Sequence, residues 1–144
     1  MLYLADTVPT IGFNCERVRG SLGSSAGATF LVWDVGGQER IRPLWRTYTR
    51  NTDGIIFVLD SGDHRSLEQA RHELHRTLAH QEPGQHTPLL VFANKQDLPM
   101  ALTEKQVVSC LKLKQLRLAI HTIPTLWWHC LIPCAAHKSS GAWC

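Results

Sequence analysis

Two short and wholly apolar runs constrain this chain most. Residues 55–59 read Ile-Ile-Phe-Val-Leu, and residues 89–93 read Leu-Leu-Val-Phe-Ala. A run of this length without polar alternation is typical of a strand that is covered on both faces within a parallel sheet. Between the runs, Ser66 and Gln69 predict a capping box that opens a helix with apolar residues at spacings of three and four. Strands alternating with helices predict an α/β fold with a mostly parallel sheet.

The remaining segments extend this pattern. Residues 14–19 and 28–33 are predicted as two strands joined by a Gly- and Ser-rich hairpin loop. Thr103 and Gln106 predict a second capping box, which opens a short helix. In parallel sheets the binding loops follow the carboxyl ends of the strands. We therefore expect the polar residues after each apolar run to carry the function.

Length and composition limit the possible classes of protein. We expect one domain over residues 1–144, with an atypical segment at 117–144. The net charge of +3 comes from scattered basic residues, so no nucleic-acid partner is expected. Five cysteines at irregular spacing favour a reducing cytoplasmic compartment over a disulfide framework. No apolar stretch reaches the length of a membrane span, and Met1-Leu2 lacks the glycine of a myristoylation signal. We expect a cytoplasmic monomer without an intrinsic membrane anchor, which reaches membranes as a peripheral protein through its partners.

The tetrapeptide Asn94-Lys95-Gln96-Asp97 follows the second apolar run. The Asp97 carboxylate can accept hydrogen bonds from both the ring N–H and the exocyclic amino group of guanine. Adenine has neither donor at these positions, so it would leave the charge unpaired. Asn94 would contact the base and tie down the loop, while the stem of Lys95 would lie along the ring. The alternative is an ordinary polar loop after a strand.

Two further motifs precede this loop. Residues 7–14 read Thr-Val-Pro-Thr-Ile-Gly-Phe-Asn, and residues 33–38 read Trp-Asp-Val-Gly-Gly-Gln. Together with Asn-Lys-Gln-Asp, in this order, they resemble the first switch, the second switch and the base-reading loop of the ADP-ribosylation-factor (Arf) and Arf-like small GTPases. Residues 39–54 look most like the Arf-like 4 subgroup. The resemblance covers roughly residues 7–116.

The resemblance implies a guanine-nucleotide-dependent switch of the kind that serves vesicle traffic. Thr10 would place its hydroxyl on Mg²⁺, and Asp34 would reach the same ion through water. The Gly37 amide would sense the γ-phosphate, so hydrolysis of GTP would release Thr10 and Gly37 together. Gln38 would orient the attacking water as the catalytic residue. The alternatives are a plain turn at Thr10, a flexible glycine turn at Gly37 and an exposed loop glutamine.

The resemblance also implies protein partners. Phe13, Trp33 and Tyr48 match the aromatic trio that Arf proteins present to effectors, and exposed aromatic side chains make good interface anchors. Burial in a rearranged interior is the alternative for these rings. Cys134 and Ala135 resemble the last guanine-contacting loop, so both are candidate nucleotide ligands. Effector and regulator proteins of Arf-like GTPases are the expected partners, besides GTP or GDP and Mg²⁺.

One expected motif is missing from the sequence. The 144 residues contain no Gly-x-x-x-x-Gly-Lys-Ser/Thr, the loop whose amides and lysine hold the phosphates. We therefore expect an incomplete P-loop NTPase three-layer fold that lacks the first strand, phosphate loop, first helix and last helix, as in an amino-terminally truncated product. The absent strand would leave a gap between the strand that ends at Trp33 and the strand at 55–59. Nucleotide binding and hydrolysis would be weakened, and a nucleotide-free effector-binding module or an inactive truncated isoform are the alternatives.

Overall fold

The computed structural model describes residues 9–21, 23–81, 87–116, 118–124, 137–138 and 142–143. The strands are β1 (Phe13–Arg19), β2 (Thr29–Val35), β3 (Thr52–Asp60), β4 (Leu89–Asn94), β5 (Ile120–Pro124), β6 (His137–Lys138) and β7 (Ala142–Trp143). The α-helices are α1 (Trp45–Tyr48), α2 (Leu67–Leu78) and α3 (Glu104–Cys110). Short 3₁₀ turns cover Gly23–Ser25, Arg42–Leu44 and Leu113–Gln115.

The strands form one sheet in the order β1-β2-β7-β3-β4-β5, and β6 pairs with β2. β1 and β6 run antiparallel to β2, whereas β2, β7, β3, β4 and β5 are mutually parallel. The predicted mostly parallel α/β architecture is confirmed. Register pairs Ile55 with Leu89 and Asp60 with Asn94, so β3 and β4 end side by side. Within the described ranges, no helix has the length and apolar character needed to cross a bilayer.

The core lies on one face of this sheet. Leu74 of α2 is 1% exposed, Val107 of α3 is 0% exposed, and both pack with Val91 of β4. Val58, which is in register with Phe92, points to the opposite face and is 38% exposed. The prediction that residues 55–59 are covered on both faces is therefore wrong for the part of the chain that the structure describes. The apolar pattern marks both faces for burial, but α2 and α3 cover only one of them.

The two predicted helix caps differ in outcome. Thr103 and Gln106 form the predicted capping box at α3, where the Gln106 Oε1 accepts a hydrogen bond from the Thr103 N–H at 2.9 Å. Ser66 has a helical backbone and makes no side-chain cap, so the capping box predicted there is wrong. The Ser66 hydroxyl instead donates to the Asp63 Oδ2 at 2.5 Å, and the Asp63 Oδ1 accepts from the amides of Arg65 and Ser66. Asp63 therefore fixes the turn that precedes α2.

The space between β2 and β3 is only partly filled. The two-residue strand β7 lies there and pairs with Val32 on one side and with Thr52 and Gly54 on the other. A cavity of about 580 Å³ lies in the same region, with apolar walls from β2, β3, α1 and α2. Its polar lining includes Asp34 at the end of β2 and Asp60 at the end of β3. The region where a missing strand was predicted therefore contains a cavity.

Candidate functional site

The candidate site lies where parallel strands end together. β2 ends just after Asp34, β3 ends at Asp60, and β4 ends at Asn94. Since these strands are parallel, their carboxyl ends lie at one edge of the sheet. The second switch and the base-reading loop both start from this edge, as the sequence pattern predicts.

The first switch contacts the second at Asp34. The Thr10 hydroxyl donates to the Asp34 Oδ2 at 3.2 Å, and the Gly36 N–H donates to the Gly12 carbonyl at 2.8 Å. A Cβ atom on Gly36 would lie only 2.4 Å from the Thr10 carbonyl oxygen, so this crossing requires glycine. A hydroxyl and a carboxylate side by side are hard oxygen ligands of the kind that Mg²⁺ prefers. The pair of residues present therefore fits the ion that the resemblance implies.

Two side chains fix the glycine turn of the second switch. The Trp45 Nε1–H donates to the Gly36 carbonyl at 3.0 Å, and the Arg42 Nε–H donates to the Gly37 carbonyl at 2.8 Å. Sequence reasoning missed both residues as parts of the site. No local signal indicates them, because their role depends on the direction of two backbone carbonyls. The Gln38 Oε1 accepts from the Arg40 Nε–H at 3.0 Å, and its catalytic role stays a prediction.

The base-reading loop comprises residues 94–97. Asn94 is 8% exposed, and Asp97 is exposed. Lys95 has a φ of 62°, in the left-handed region, and its Nζ lies 2.5 Å from the Asp60 Oδ2. The Leu98 N–H donates to the Lys95 carbonyl at 3.1 Å and closes the turn. The loop thus presents the exposed Asp97 carboxylate at the edge of the sheet, on a backbone that is fixed beside β3.

One cavity is lined by residues at the carboxyl ends of both β2 and β3. Asp34 and Gly37 of the second switch line it on one side, and Asp60 and Asp63 line it on the other. Asp60 in turn holds Lys95 of the base-reading loop.

The three predicted effector residues lie together. The ring centroids of Phe13 and Trp33 and those of Phe13 and Tyr48 are each 5.3 Å apart, and those of Trp33 and Tyr48 are 5.6 Å apart. Phe13 is 49% exposed, while Trp33 and Tyr48 are half-buried and pack against the core. The cluster is therefore anchored in the core on one side and open to solvent on the other. Its role toward effectors stays a prediction.

Two predicted nucleotide ligands, Cys134 and Ala135, lie outside the described residues.

Comparison with known proteins identifies the family. The sequence matches the ADP-ribosylation factor family over residues 3–142. It is 53% identical over 116 residues to ADP-ribosylation factor-like protein 4D of Mus musculus, an alignment that covers 81% of this chain and 57% of that protein. It is 48% identical over 130 residues to ADP-ribosylation factor-like protein 4C of Homo sapiens, covering 90% of this chain and 64% of that protein. The chain thus spans less than two thirds of the length of these relatives.

A solved structure shows the same fold. The Arl6 (BBS3) small GTPase from Trypanosoma brucei, solved with the bound nucleotide analogue GppNp, matches with a TM-score of 0.69 and 32% sequence identity. The match covers 85% of this chain and 72% of that chain. Fold, motif order and sequence identity agree with the resemblance seen in the sequence. This chain belongs to the ADP-ribosylation factor family of small GTPases.

Proposed function

We propose that this chain is a guanine-nucleotide-binding switch protein of the Arf-like 4 type, in which base selection is built in and phosphate binding is weak. The observation that carries the proposal is the cavity lined by Asp34, which accepts from Thr10, and by Asp60, which is bound to Lys95. Asp97 reads the guanine edge, while Thr10 would hold Mg²⁺ directly and Asp34 would hold it through water. The Gly37 amide senses the γ-phosphate, and Gln38 orients water for hydrolysis.

The magnitude of binding follows from the groups present. Two hydrogen bonds from guanine to the Asp97 carboxylate contribute about 1.5–3 kcal/mol each. Because association itself costs free energy, a total near 4 kcal/mol sets about 1 mM as the tightest dissociation constant that these two bonds alone would give. The phosphate-cradling loop would add several more bonds to charged groups, but its motif is absent from the 144 residues. We therefore expect millimolar binding by this chain, with guanine preferred, and slow hydrolysis or none.

The base assignment is tested by Asp97→Asn. An amide can donate to the oxygen that xanthine carries in place of the guanine amino group, so the preference should move from guanosine toward xanthosine by about tenfold to a hundredfold. Ligand-detected NMR titration measures both nucleosides. Asp53→Asn is the matched control, because Asp53 lies near the start of β3, at the opposite edge of the sheet. An unchanged preference in Asp97→Asn would refute the role of Asp97.

A second function is favoured by the aromatic cluster. Phe13, Trp33 and Tyr48 form a contiguous and partly exposed set of rings. A module that binds effector or regulator proteins without nucleotide would need only this surface. The two functions separate in one experiment, in which binding of an Arf-like 4 effector is measured with and without GTP and Mg²⁺. Effector affinity that is equal with and without GTP, and is lost in Phe13→Ala, would support the nucleotide-free module. Effector affinity that requires GTP would support the switch.

A further inference from the structure

The base-reading loop contains a strained residue. Lys95 adopts a φ of 62° although it has a Cβ atom. A side-chain-bearing residue in the left-handed region persists only where surrounding contacts determine it, and such residues cluster at functional sites. The contacts that hold Lys95 and its neighbours therefore show what shapes the loop.

The first contact comes from the last residue of β3. The Asp60 Oδ2 lies 2.5 Å from the Lys95 Nζ, and both side chains are about one third exposed, at 33% and 34%. The other oxygen, Oδ1, accepts from the Gly62 N–H at 2.9 Å. A Cβ atom on Gly62 would lie 2.6 Å from the Leu98 Cδ1, so the turn after β3 packs tightly against the base-reading loop. Asp60 thus fixes its own turn with one oxygen and Lys95 with the other.

The second contact comes from Ser61, which is 0% exposed. Its N–H donates to the Asn94 carbonyl at 3.0 Å, and its hydroxyl donates to the same carbonyl. The hydroxyl also accepts from the Gln96 Nε2 at 2.8 Å, and the Ser61 carbonyl accepts from the Leu102 N–H at 2.9 Å. Every polar group of this buried residue is therefore directed at the loop or at the segment that follows it.

Gln96 completes the network. Its Nε2 donates to the Ser61 hydroxyl and to the Leu102 carbonyl, at 2.8 and 2.9 Å. Asn94 and Gln96 are therefore held through Ser61, while Lys95, which lies between them, is held by Asp60. Asp97, the next residue, is left exposed on a backbone with little freedom. Hydrogen-bond networks that are fully satisfied in this way rigidify the segment they join.

We propose that Asp60 and Ser61 are positioning residues for guanine recognition: they hold the base-reading loop in its binding shape before any ligand arrives. The inference rests on the proposed function, because it gives the fixed loop a purpose. Pre-organisation raises affinity by removing the ordering cost from the binding step. Loss of either residue should therefore loosen residues 94–98 and weaken guanosine binding, with little change elsewhere.

The test measures loop order without any nucleotide. Amide hydrogen exchange is followed at Leu98 and Ala101, whose N–H groups close the turns after Lys95. Asp60→Asn and Ser61→Ala should each speed exchange there by about tenfold, as expected for the loss of one or two hydrogen bonds. The Val107 and Leu111 amides of the α3 segment report on global stability and should stay within about twofold of wild type.

The control is Ser66→Ala, which removes a hydroxyl from the same β3–α2 connection but one bonded to Asp63. It should leave the Leu98 and Ala101 amides unchanged. Wild-type exchange in both Asp60→Asn and Ser61→Ala would overturn the inference. If Ser61→Ala also speeds the α3 amides, the partly exposed Asp60→Asn decides the question alone.

Nucleoside binding then separates this inference from the proposed function. If wild type binds guanosine, both variants should weaken that binding by about the factor by which exchange at Leu98 rises. Faster exchange with unchanged guanosine affinity would overturn the positioning role. No guanosine binding by wild type would overturn the proposed function and, with it, the role in recognition, while the exchange data would still decide whether Asp60 and Ser61 shape the loop.

Discussion

The β3–β4 pair and the β2–β3 pair are built very differently. β3 and β4 share six consecutive register pairs, from Ile55–Leu89 to Asp60–Asn94, and both strands contribute buried side chains to the core. β2 and β3 are not paired with each other in the described sheet, and between them lie the two-residue β7 and a cavity of about 580 Å³. The first pair carries the base-reading loop, and the second carries the switch.

This difference separates two parts of nucleotide recognition. In the proposed function, base reading depends on the β3–β4 register and on the contacts of Asp60 and Ser61 with residues 94–96. The proposed switch depends on Thr10, Asp34 and Gly37, of which Asp34 and Gly37 line the cavity. We therefore expect the β3–β4 side to behave as a rigid, selective unit and the β2–β3 side as a loosely packed one. Four predictions test this contrast.

The largest expected effect comes from a pair of valines. Val91 of β4 is 0% exposed, whereas Val35 of β2 is half-buried and lines the cavity. Val91→Ala should lower the free energy of unfolding by about 2–3 kcal/mol, and Val35→Ala by less than about 1 kcal/mol. Urea unfolding of both variants measures the difference. Equal losses would show that the two sides are packed alike.

The next prediction adds volume instead of removing it. Ala70 of α2 lines the cavity, so Ala70→Leu should fill space and raise the free energy of unfolding by about 1 kcal/mol. Ala93 of β4 is 0% exposed, so Ala93→Leu should overpack the core and lower it by about 1–3 kcal/mol. Opposite signs in urea unfolding would support the contrast. Two losses of similar size would contradict a cavity beside α2.

A smaller effect is expected at the glycine turn of the second switch. Trp45→Phe removes the N–H that donates to the Gly36 carbonyl and should destabilise the turn by about 1 kcal/mol. Exchange of the Gly36 amide, which donates to Gly12, should rise about fivefold. Trp33→Phe is the control, since the contacts described for that indole are ring contacts. Unchanged exchange in Trp45→Phe would mean that other contacts hold the turn.

The smallest effect concerns pH. The pKa of Asp63 lies below the usual value of 3.8, mainly because the Ser66 hydroxyl donates to it, with further bonds from the Ser66 and Arg65 amides and the nearby Arg65 charge. A lowered folded-state pKa stabilises the fold above the unfolded-state value and loses that contribution as the pH falls through the lowered one. Asp63→Asn should therefore lower Tm slightly near neutral pH and not in strong acid. A Tm difference that persists at about pH 2 would contradict this.

Sequence reasoning recovered the architecture because it depends on patterns that the residues carry locally. The apolar runs at 55–59 and 89–93 predicted two parallel strands, and Thr103 with Gln106 predicted a helix start. The capping box predicted at Ser66 is wrong because the Ser66 hydroxyl bonds to Asp63, three residues earlier, instead of capping the helix. A sequence pattern cannot decide between these two partners of the hydroxyl. The prediction that residues 55–59 are covered on both faces is wrong because an apolar run shows which side chains favour burial. It does not show whether helices are present to cover both faces of the strand.

The sequence predicted residues of the candidate site only where those residues belong to a recognisable motif. The resemblance predicted Thr10 and Asp34 as ligands of one Mg²⁺ ion, and the structure places the Thr10 hydroxyl 3.2 Å from the Asp34 Oδ2, while their role toward the ion stays a prediction. Asp60 and Ser61 were not predicted, because their contacts arise from the β3–β4 register rather than from spacing along the chain. Contacts between residues far apart in the sequence can be identified only when the pairing of the strands in the sheet is known.

The central claim, that base reading is built in while phosphate binding is weak, is tested most directly by comparing three ligands on the wild-type chain. Guanosine, adenosine, and GTP with Mg²⁺ are titrated by NMR under identical conditions. We predict guanosine binding near 1 mM, at least about tenfold tighter than adenosine, with GTP within about tenfold of guanosine. Equal binding of guanosine and adenosine, or GTP binding about a thousandfold tighter than guanosine, would contradict it.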